Sequence, residues 1–307
     1  MSAGYSFGKI ILFGEHFVVY GLPAIVSAIN KQAEIVVERK KEFPHELIDA
    51  TKRFRGVPIL TWQICHKPIE AVLKHLNIAT PLRITLGGDL PIANSGIGSS
   101  AAHLVGLARA LSEEFGLKLS DEQVNQTAFI GEKEIHGTPS GIDNTAATYG
   151  GLFLFKRNSS GKNLIKPIES RKPILIVIVE SGVDTNTKQV VRAVRELKEK
   201  EPEKVGDLFN RYESLIQQAH EALEKNDLVL AGNLMNENHK LLQELTVSCP
   251  ELDRMVEIAR NAGALGAKLT GTGRGGLMVA LTSGKDVQEK VADALLDAGY
   301  EVLVTSI

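Results

Sequence analysis

The sequence predicts an α+β protein built in two halves. Short runs rich in Ile, Val and Leu, bounded by glycine and proline, recur with helical stretches through the first half. A block of long, charged, amphipathic helix patterns fills roughly 187–263, and the chain then closes on strand, helix and strand patterns. At 307 residues and 43 % hydrophobic content, it can bury two compact cores. The change of character falls near 157–172, so the expected domains are 1–168 and 169–307.

Taken in order, KIILFG (9–14), AEIVVER (33–39) and LRITLG (82–87) read as strands. Between the last two, ILTWQICHKPIEAVLKHL (59–76) has helical apolar spacing around a kink at Pro68. The segment SSAAHLVGLARALSEEF (99–115) puts Ala102, Val105, Leu107, Ala108 and Leu111 on one side of a helix. Ser120 caps the next helix, with Gln123 completing a capping box, and that helix runs to about His136. GTPSGIDN (137–144) reads as a loop from its Gly, Pro and Ser. GLFLFK (151–156) is a strand, and NSSGKN (158–163) an exposed hairpin or linker. PILIVIVE (173–180) opens the second half. It ends with the glycine-rich KLTGTGRGG (268–276), the strand GLMVALT (276–282), a helix near 285–298 and the strand YEVLVTSI (300–307).

Charge and cysteine content exclude several classes. A formal net charge of -2 gives no basic bias toward nucleic acid and no acidic tail. Cys65 and Cys249 stand far apart without a CxxC, which fits a reduced, cytoplasmic protein and argues against a disulfide or zinc site. The apolar stretch at 9–29 is interrupted by Glu15 and His16, and no uncharged apolar run reaches the roughly 18 residues of a membrane span.

Four segments carry chemistry. In PIANSGIGSSAA (91–102) a strand ends, glycines turn the backbone and a helix begins at Ser99 or Ser100. The first amides of a helix lack internal partners, and the macrodipole places partial positive charge there, so such a loop can hold a phosphate. No lysine follows the glycines, which rules out a Walker loop, and read alone the segment is also explained by an ordinary capped turn. KLTGTGRGGLMVAL (268–281) is equally a plain tight hairpin. In GEKEIHGTPSGIDN (131–144), Glu132 and His136 share a helix face. With no third ligand nearby, His136 reads as a structural hydrogen bonder, and Asp143 as a turn residue. In GKIILFGEHFVVYG (8–21), Lys9, Glu15 and His16 flank an apolar strand and could be ordinary solvated groups.

Together the four segments resemble the GHMP kinase superfamily, and most nearly its mevalonate kinase branch. The family pattern GKxILxGEHxVVxG is met by Gly8, Lys9, Ile11, Leu12, Gly14, Glu15, His16, Val18, Val19 and Gly21. The phosphate-loop pattern is met by Pro91, Gly96, Ile97, Gly98, Ser99, Ser100, Ala101 and Ala102. The third block is met by Glu132, His136, Gly137, Pro139, Ser140, Gly141 and Asp143, and the last by 268–276. The resemblance runs along essentially the whole chain with motifs in family order. There are two departures: one extra residue in the loop, with Asn94 and Ser95 where a glycine is common, and Arg274 where the family usually has glycine.

The resemblance implies a GHMP kinase fold, with a ribosomal protein S5 domain 2-like N-terminal domain and a ferredoxin-like C-terminal domain around the active site. It implies ATP over Pro91, Asn94, Ser95, Gly96, Ile97, Gly98, Ser99, Ser100 and Ala101, with Mg²⁺ on Ser100 and Glu132. Asp143 is the implied catalytic base, paired with Lys9. Glu15, His16, Thr187 and Gly271 are implied to line the acceptor pocket, the acceptor being the C5 hydroxyl of mevalonate. A homodimer is the implied assembly. Two other functions remain open at this point. One is a kinase of the superfamily acting on phosphomevalonate or homoserine, for which Arg274 could supply charge. The other is a non-catalytic sensor, which would lose the base or a magnesium ligand. Arg274 is also open between contacting the nucleotide phosphates and pointing to solvent.

Overall fold

The computed structural model describes residues 1–93, 96–158, 163–170 and 172–307. Asn94, Ser95 and most of the expected linker at 158–163 lie outside the described residues. Two compact units are present. The first comprises Met1–Lys9, Ala28–Ala93 and Ile97–Gly150, and the second Ile10–Ser27, a short stretch ending at Gly96, and Gly151–Ile307.

The first unit is built on strands β1 (Ser2–Phe13) and β2 (Ala24–Arg39), which both continue into the second unit. Beyond residue 28, β2 pairs antiparallel with β4 (Leu82–Gly88), Ala33 opposite Gly88 and Arg39 opposite Leu82, and β3 (Glu46–Asp49) runs parallel to β4. Four helices complete this unit: α1 (Trp62–His75), α2 (Ser99–Phe115), α3 (Asp121–His136) and α4 (Ile142–Tyr149). Pro68 lies inside α1, whose inward face is Ile69, Val72 and Leu73. The Ser120 and Gln123 side chains close the expected capping box at the start of α3. The small residues of β1 have a packing reason. A Cβ on Gly4 would stand 2.1 Å from the carbonyl oxygen of Gly106, so only glycine lets α2 approach the strand so closely.

In the second unit the first residues of β2 pair with β5 (Leu152–Lys156), which pairs with β6 (Leu164–Ile168). A separate four-stranded antiparallel sheet contains β7 (Leu175–Glu180), β8 (Gly266–Thr270), β9 (Leu277–Leu281) and β10 (Glu301–Ser306) in the order β10-β7-β9-β8. Counted within the sheet this is 4-1-3-2, the ferredoxin-like arrangement. The first connection carries four helices, α5 (Thr187–Lys200), α6 (Pro202–Glu224), α7 (Leu228–Glu244) and α8 (Pro250–Asn261), and the last carries α9 (Lys285–Asp297). Helices α7 and α8 lie against β8, and α9 against β7 and β10. The α+β class and both domain types match the sequence expectation. Among the described residues, no helix is long and apolar enough to cross a membrane.

Candidate active site

The candidate residues gather in two groups, one in each compact unit. In the first, Lys9 sits on β1 with only 4 % of its surface exposed, a position that a lysine occupies only with a partner. Its Nζ lies 3.1 Å from Oδ1 of Asp143. Its backbone N–H donates to the Ile97 carbonyl at 2.9 Å, which ties the strand to the glycine-rich turn. Gly98 follows in a left-handed conformation (φ 70°), and a Cβ there would come 2.9 Å from the Lys9 Cγ. Glycine therefore lets turn and lysine stem pack together.

Gly98 is also the N-cap of α2 and contributes no side chain to cap its first amides. Ser99, Ser100 and Ala101 form the first turn, where backbone N–H groups and the helix dipole favour an anion. The Ser6 hydroxyl, itself buried, fixes this turn by donating to the Ala102 carbonyl at 2.5 Å. Pro91 and Ile97 are both buried.

Asp143 stands in the first turn of α4, a helix the sequence pattern hid because Gly137, Pro139, Ser140 and Gly141 read as loop. Gly141 is its left-handed N-cap. The helix is held from both sides. Asn144 Nδ2 donates to Asn125 Oδ1 at 2.6 Å on α3, and Arg109 on α2 donates to the Thr148 carbonyl at 2.7 Å. Glu132 on α3 is 1 % exposed and accepts the Ser100 hydroxyl at 2.9 Å. Burial, and then the negative charge of Asp143, push its carboxyl up to about 7. His136, one turn along α3, reaches Glu132 Oε2 at 3.6 Å and is half exposed.

The second group begins where β1 ends. Glu15 and Lys268 form a fully buried ion pair, Nζ to Oε1 2.5 Å, with Lys268 also donating to the Leu269 carbonyl at 2.6 Å. Burial holds the Lys268 ammonium below the usual lysine range. His16 adopts φ 65°, unusual for a histidine, and opens the 3₁₀ turn Phe17–Tyr20. The turn is anchored by Phe17, which stacks on Tyr212 with ring centroids 3.9 Å apart. His16 Nε2 lies 2.7 Å from the Thr272 carbonyl, so the proton is on Nε2 and Nδ1 remains an acceptor. Burial brings this imidazole down to about 4, with Arg274 and Lys268 adding to the effect, and the ring is neutral at physiological pH. Thr187 opens α5 and shares a hydrogen bond with Thr272, Oγ1 to Oγ1 2.8 Å. Gly271 follows β8 with its backbone against Gly96.

Arg274, left open between the nucleotide phosphates and solvent, is bonded to the chain itself. Its Nε donates to the Thr246 carbonyl at 2.9 Å just beyond α7, and its own N–H donates to the Val247 carbonyl at 2.8 Å. Its φ of 52° explains why glycine is usual at this place in the family pattern. Lys268 was not singled out from the sequence as a site residue. A signal existed: Lys268 is a lone charge among apolar and small residues in a strand, and Glu15 is an opposite charge just past the apolar end of another.

Comparison with known proteins gives the family. Residues 63–151 match the GHMP kinase N-terminal domain and 219–301 the GHMP kinase C-terminal family. Mevalonate kinase of Pyrococcus abyssi is 35 % identical over an alignment covering 97 % of this chain and 93 % of the relative. The crystal structure of L. major mevalonate kinase in complex with R-mevalonate superposes with a TM-score of 0.91 and 39 % identity, covering 100 % of this chain and 96 % of that one. The Methanococcus jannaschii mevalonate kinase structure gives 0.82 at 28 % identity, covering 99 % and 98 %. The chain belongs to the GHMP kinases and, within them, to the mevalonate kinase family.

Proposed function

We propose that this chain transfers the γ-phosphoryl group of ATP to the C5 hydroxyl of mevalonate, giving 5-phosphomevalonate and ADP. The full-length similarity to mevalonate kinases, one of them solved with R-mevalonate, supports the reaction. The observation that carries the residue roles is the pair of buried Lys9 with partly exposed Asp143, in the same unit as the first turn of α2. Phosphoryl transfer asks mainly for positioning and charge neutralisation. The backbone amides of Gly98 to Ala101 hold the phosphates. The acceptor oxygen attacks the γ-phosphorus while the bond to the β-phosphate oxygen breaks. The hydroxyl proton passes to the Asp143 carboxylate, and Lys9 steadies the negative charge on the transferring group. Neutral His16, with Nδ1 as an acceptor, and the Glu15–Lys268 pair shape the pocket for the acceptor, with Thr187 and Gly271 at its wall.

Ser100 and Glu132 fit a magnesium ion. They offer a hydroxyl and a carboxylate oxygen, donors of the kind a hard cation takes. Glu132 is a buried acid whose ionised form is disfavoured by its surroundings, and a cation relieves that cost. A magnesium ion held by Ser100 and Glu132 would supply charge neutralisation for phosphoryl transfer. Arg274, the residue that would have favoured a phosphorylated acceptor, is engaged with Thr246.

Asp143→Asn tests the assignment, assayed by ADP release on a panel of alcohols. Mevalonate turnover should fall about 10²–10⁴-fold, with ATP-analogue binding retained. Near-native turnover in this variant would remove Asp143 from the role of base.

A further inference from the structure

Strand β8 is the edge of its sheet, so amides on its outer side have no neighbouring strand to receive them. Two are received by side chains of α7. Asn236 Oδ1 accepts from Ala267 N–H at 3.0 Å, and His239 Nδ1 accepts from Leu269 N–H at 3.4 Å. Three residues of helix rise about 4.5 Å and two of strand about 6.8 Å, and the longer imidazole makes up the difference. For Nδ1 to accept, the ring proton must be on Nε2, which lies 3.0 Å from Asp253 Oδ1. The same carboxylate oxygen accepts the Ser248 hydroxyl at 2.5 Å. His239 is 4 % exposed, and burial keeps it neutral.

Leu269 is thus held on both sides. His239 takes its N–H, and its carbonyl takes a proton of Lys268, whose other bond goes to Glu15. The next residue, Thr270, is bound to β1 through Ile11, its hydroxyl donating at 2.9 Å and accepting at 3.2 Å. Nothing in the proposed reaction uses His239 or Asp253 directly. A shift of Leu269 would nonetheless be passed to the Lys268–Glu15 pair beside His16.

We propose that His239, oriented by Asp253 and Ser248, is a positioning residue for the alcohol-acceptor pocket, acting through the Leu269 peptide on Lys268 and Glu15. This rests on the reading of Glu15 and His16 as acceptor-binding. A cavity of about 630 Å³ between α7 and α8 has His239 and Asp253 in its wall. Free imidazole can enter there when the side chain is removed.

The test compares His239→Ala and Asp253→Asn with wild type. In His239→Ala, kcat/KM for the acceptor should fall about tenfold or more, since small displacements at a reacting site are costly. KM for ATP should stay within about twofold, and added imidazole should restore most of the loss. Asp253→Asn can present an amide N–H to Nε2, which drives the ring proton to Nδ1, where it opposes Leu269 N–H. It should show the same selective loss without imidazole rescue. Asp253 is partly exposed, so this variant leaves no cavity and disturbs the core less than His239→Ala. Hydrogen exchange in the 266–270 segment should quicken in both. Unchanged exchange overturns the proposal, as does a lower melting temperature with both substrates' constants native. Wild type without mevalonate turnover would count against the substrate assignment instead. The variants are then compared on the alcohol it does accept, and by exchange.

Discussion

Replacing Lys268 by methionine removes a cation and keeps most of the stem volume. In the native chain the ammonium lies 2.5 Å from Glu15 Oε1 and neither side chain has any exposure. The attraction at that distance is large, but dehydrating two ions consumes most of it, so the net worth of the intact pair is small. The single variant is a different case, because Glu15 is left as a buried carboxylate without its counter-ion, at a cost of about 3–5 kcal/mol. The carboxyl escapes much of that cost by holding a proton. Its folded pKa then lies above its unfolded value, so stability is full below about pH 4 and is lost as pH rises through the raised pKa. Lys268→Met combined with Glu15→Gln removes both charges and should recover about 2 kcal/mol or more relative to the sum of the single losses. Urea unfolding of wild type, both single variants and the double variant, at pH 5 and pH 8, measures this. A single-variant loss under about 1 kcal/mol at pH 8, or strictly additive losses in the double variant, would refute the reasoning.

Two further outcomes are expected. The Glu180 carboxyl is pushed up to about 7 by burial first and then by Glu301 and Asp184. An acid raised in this way contributes stability fully below its unfolded pKa near 4.5 and loses it as pH rises through 7. Wild type should therefore lose about 2–3 kcal/mol across that window, and Glu180→Gln should flatten the dependence in thermal melts; parallel curves would count against it. Arg274→Gly gives up two hydrogen bonds to Thr246, the longer one weak, together worth about 1–2 kcal/mol, and relieves a positive φ of similar cost. KM for ATP should stay within about twofold, and a tenfold rise would place the guanidinium on the nucleotide after all.

Helix α2 was legible from the sequence because Ala102, Val105, Leu107, Ala108 and Leu111 recur at helical spacing, and all five are buried. The Ser120 capping box was legible because both of its bonds are local. The first half of β1 was not legible. SAGYSFG has the composition of a turn, and its glycines make sense only once α2 is seen against Gly4. Helix α4 was hidden for a related reason. Its start is coded by left-handed Gly141, and its burial is supplied by Ile142, Ala146 and Ala147, too few to show a period. Lys9 and Asp143 were placed by motif, but their pairing across 134 positions depends on tertiary structure that no local pattern records. His239 gave no signal of its own, since its role arises from the unpaired edge of a strand thirty positions away.

Both β1 and β2 begin in one compact unit and end in the other, with the first crossing between Lys9 and Ile10. No single cut of the chain therefore separates the units. A fragment ending at Gly150 would leave Leu12, Phe13, Ala24 and Val26, all buried in the whole protein, without β5 and without Tyr212 and the helix that carries it. The complementary fragment would lack the strand residues that β5 pairs with. Each half thus depends on the other for its own core, and independent expression of either should give an aggregating or unfolded chain. The same interleaving makes an insertion or circular permutation inside either strand far more damaging than one in a connecting loop.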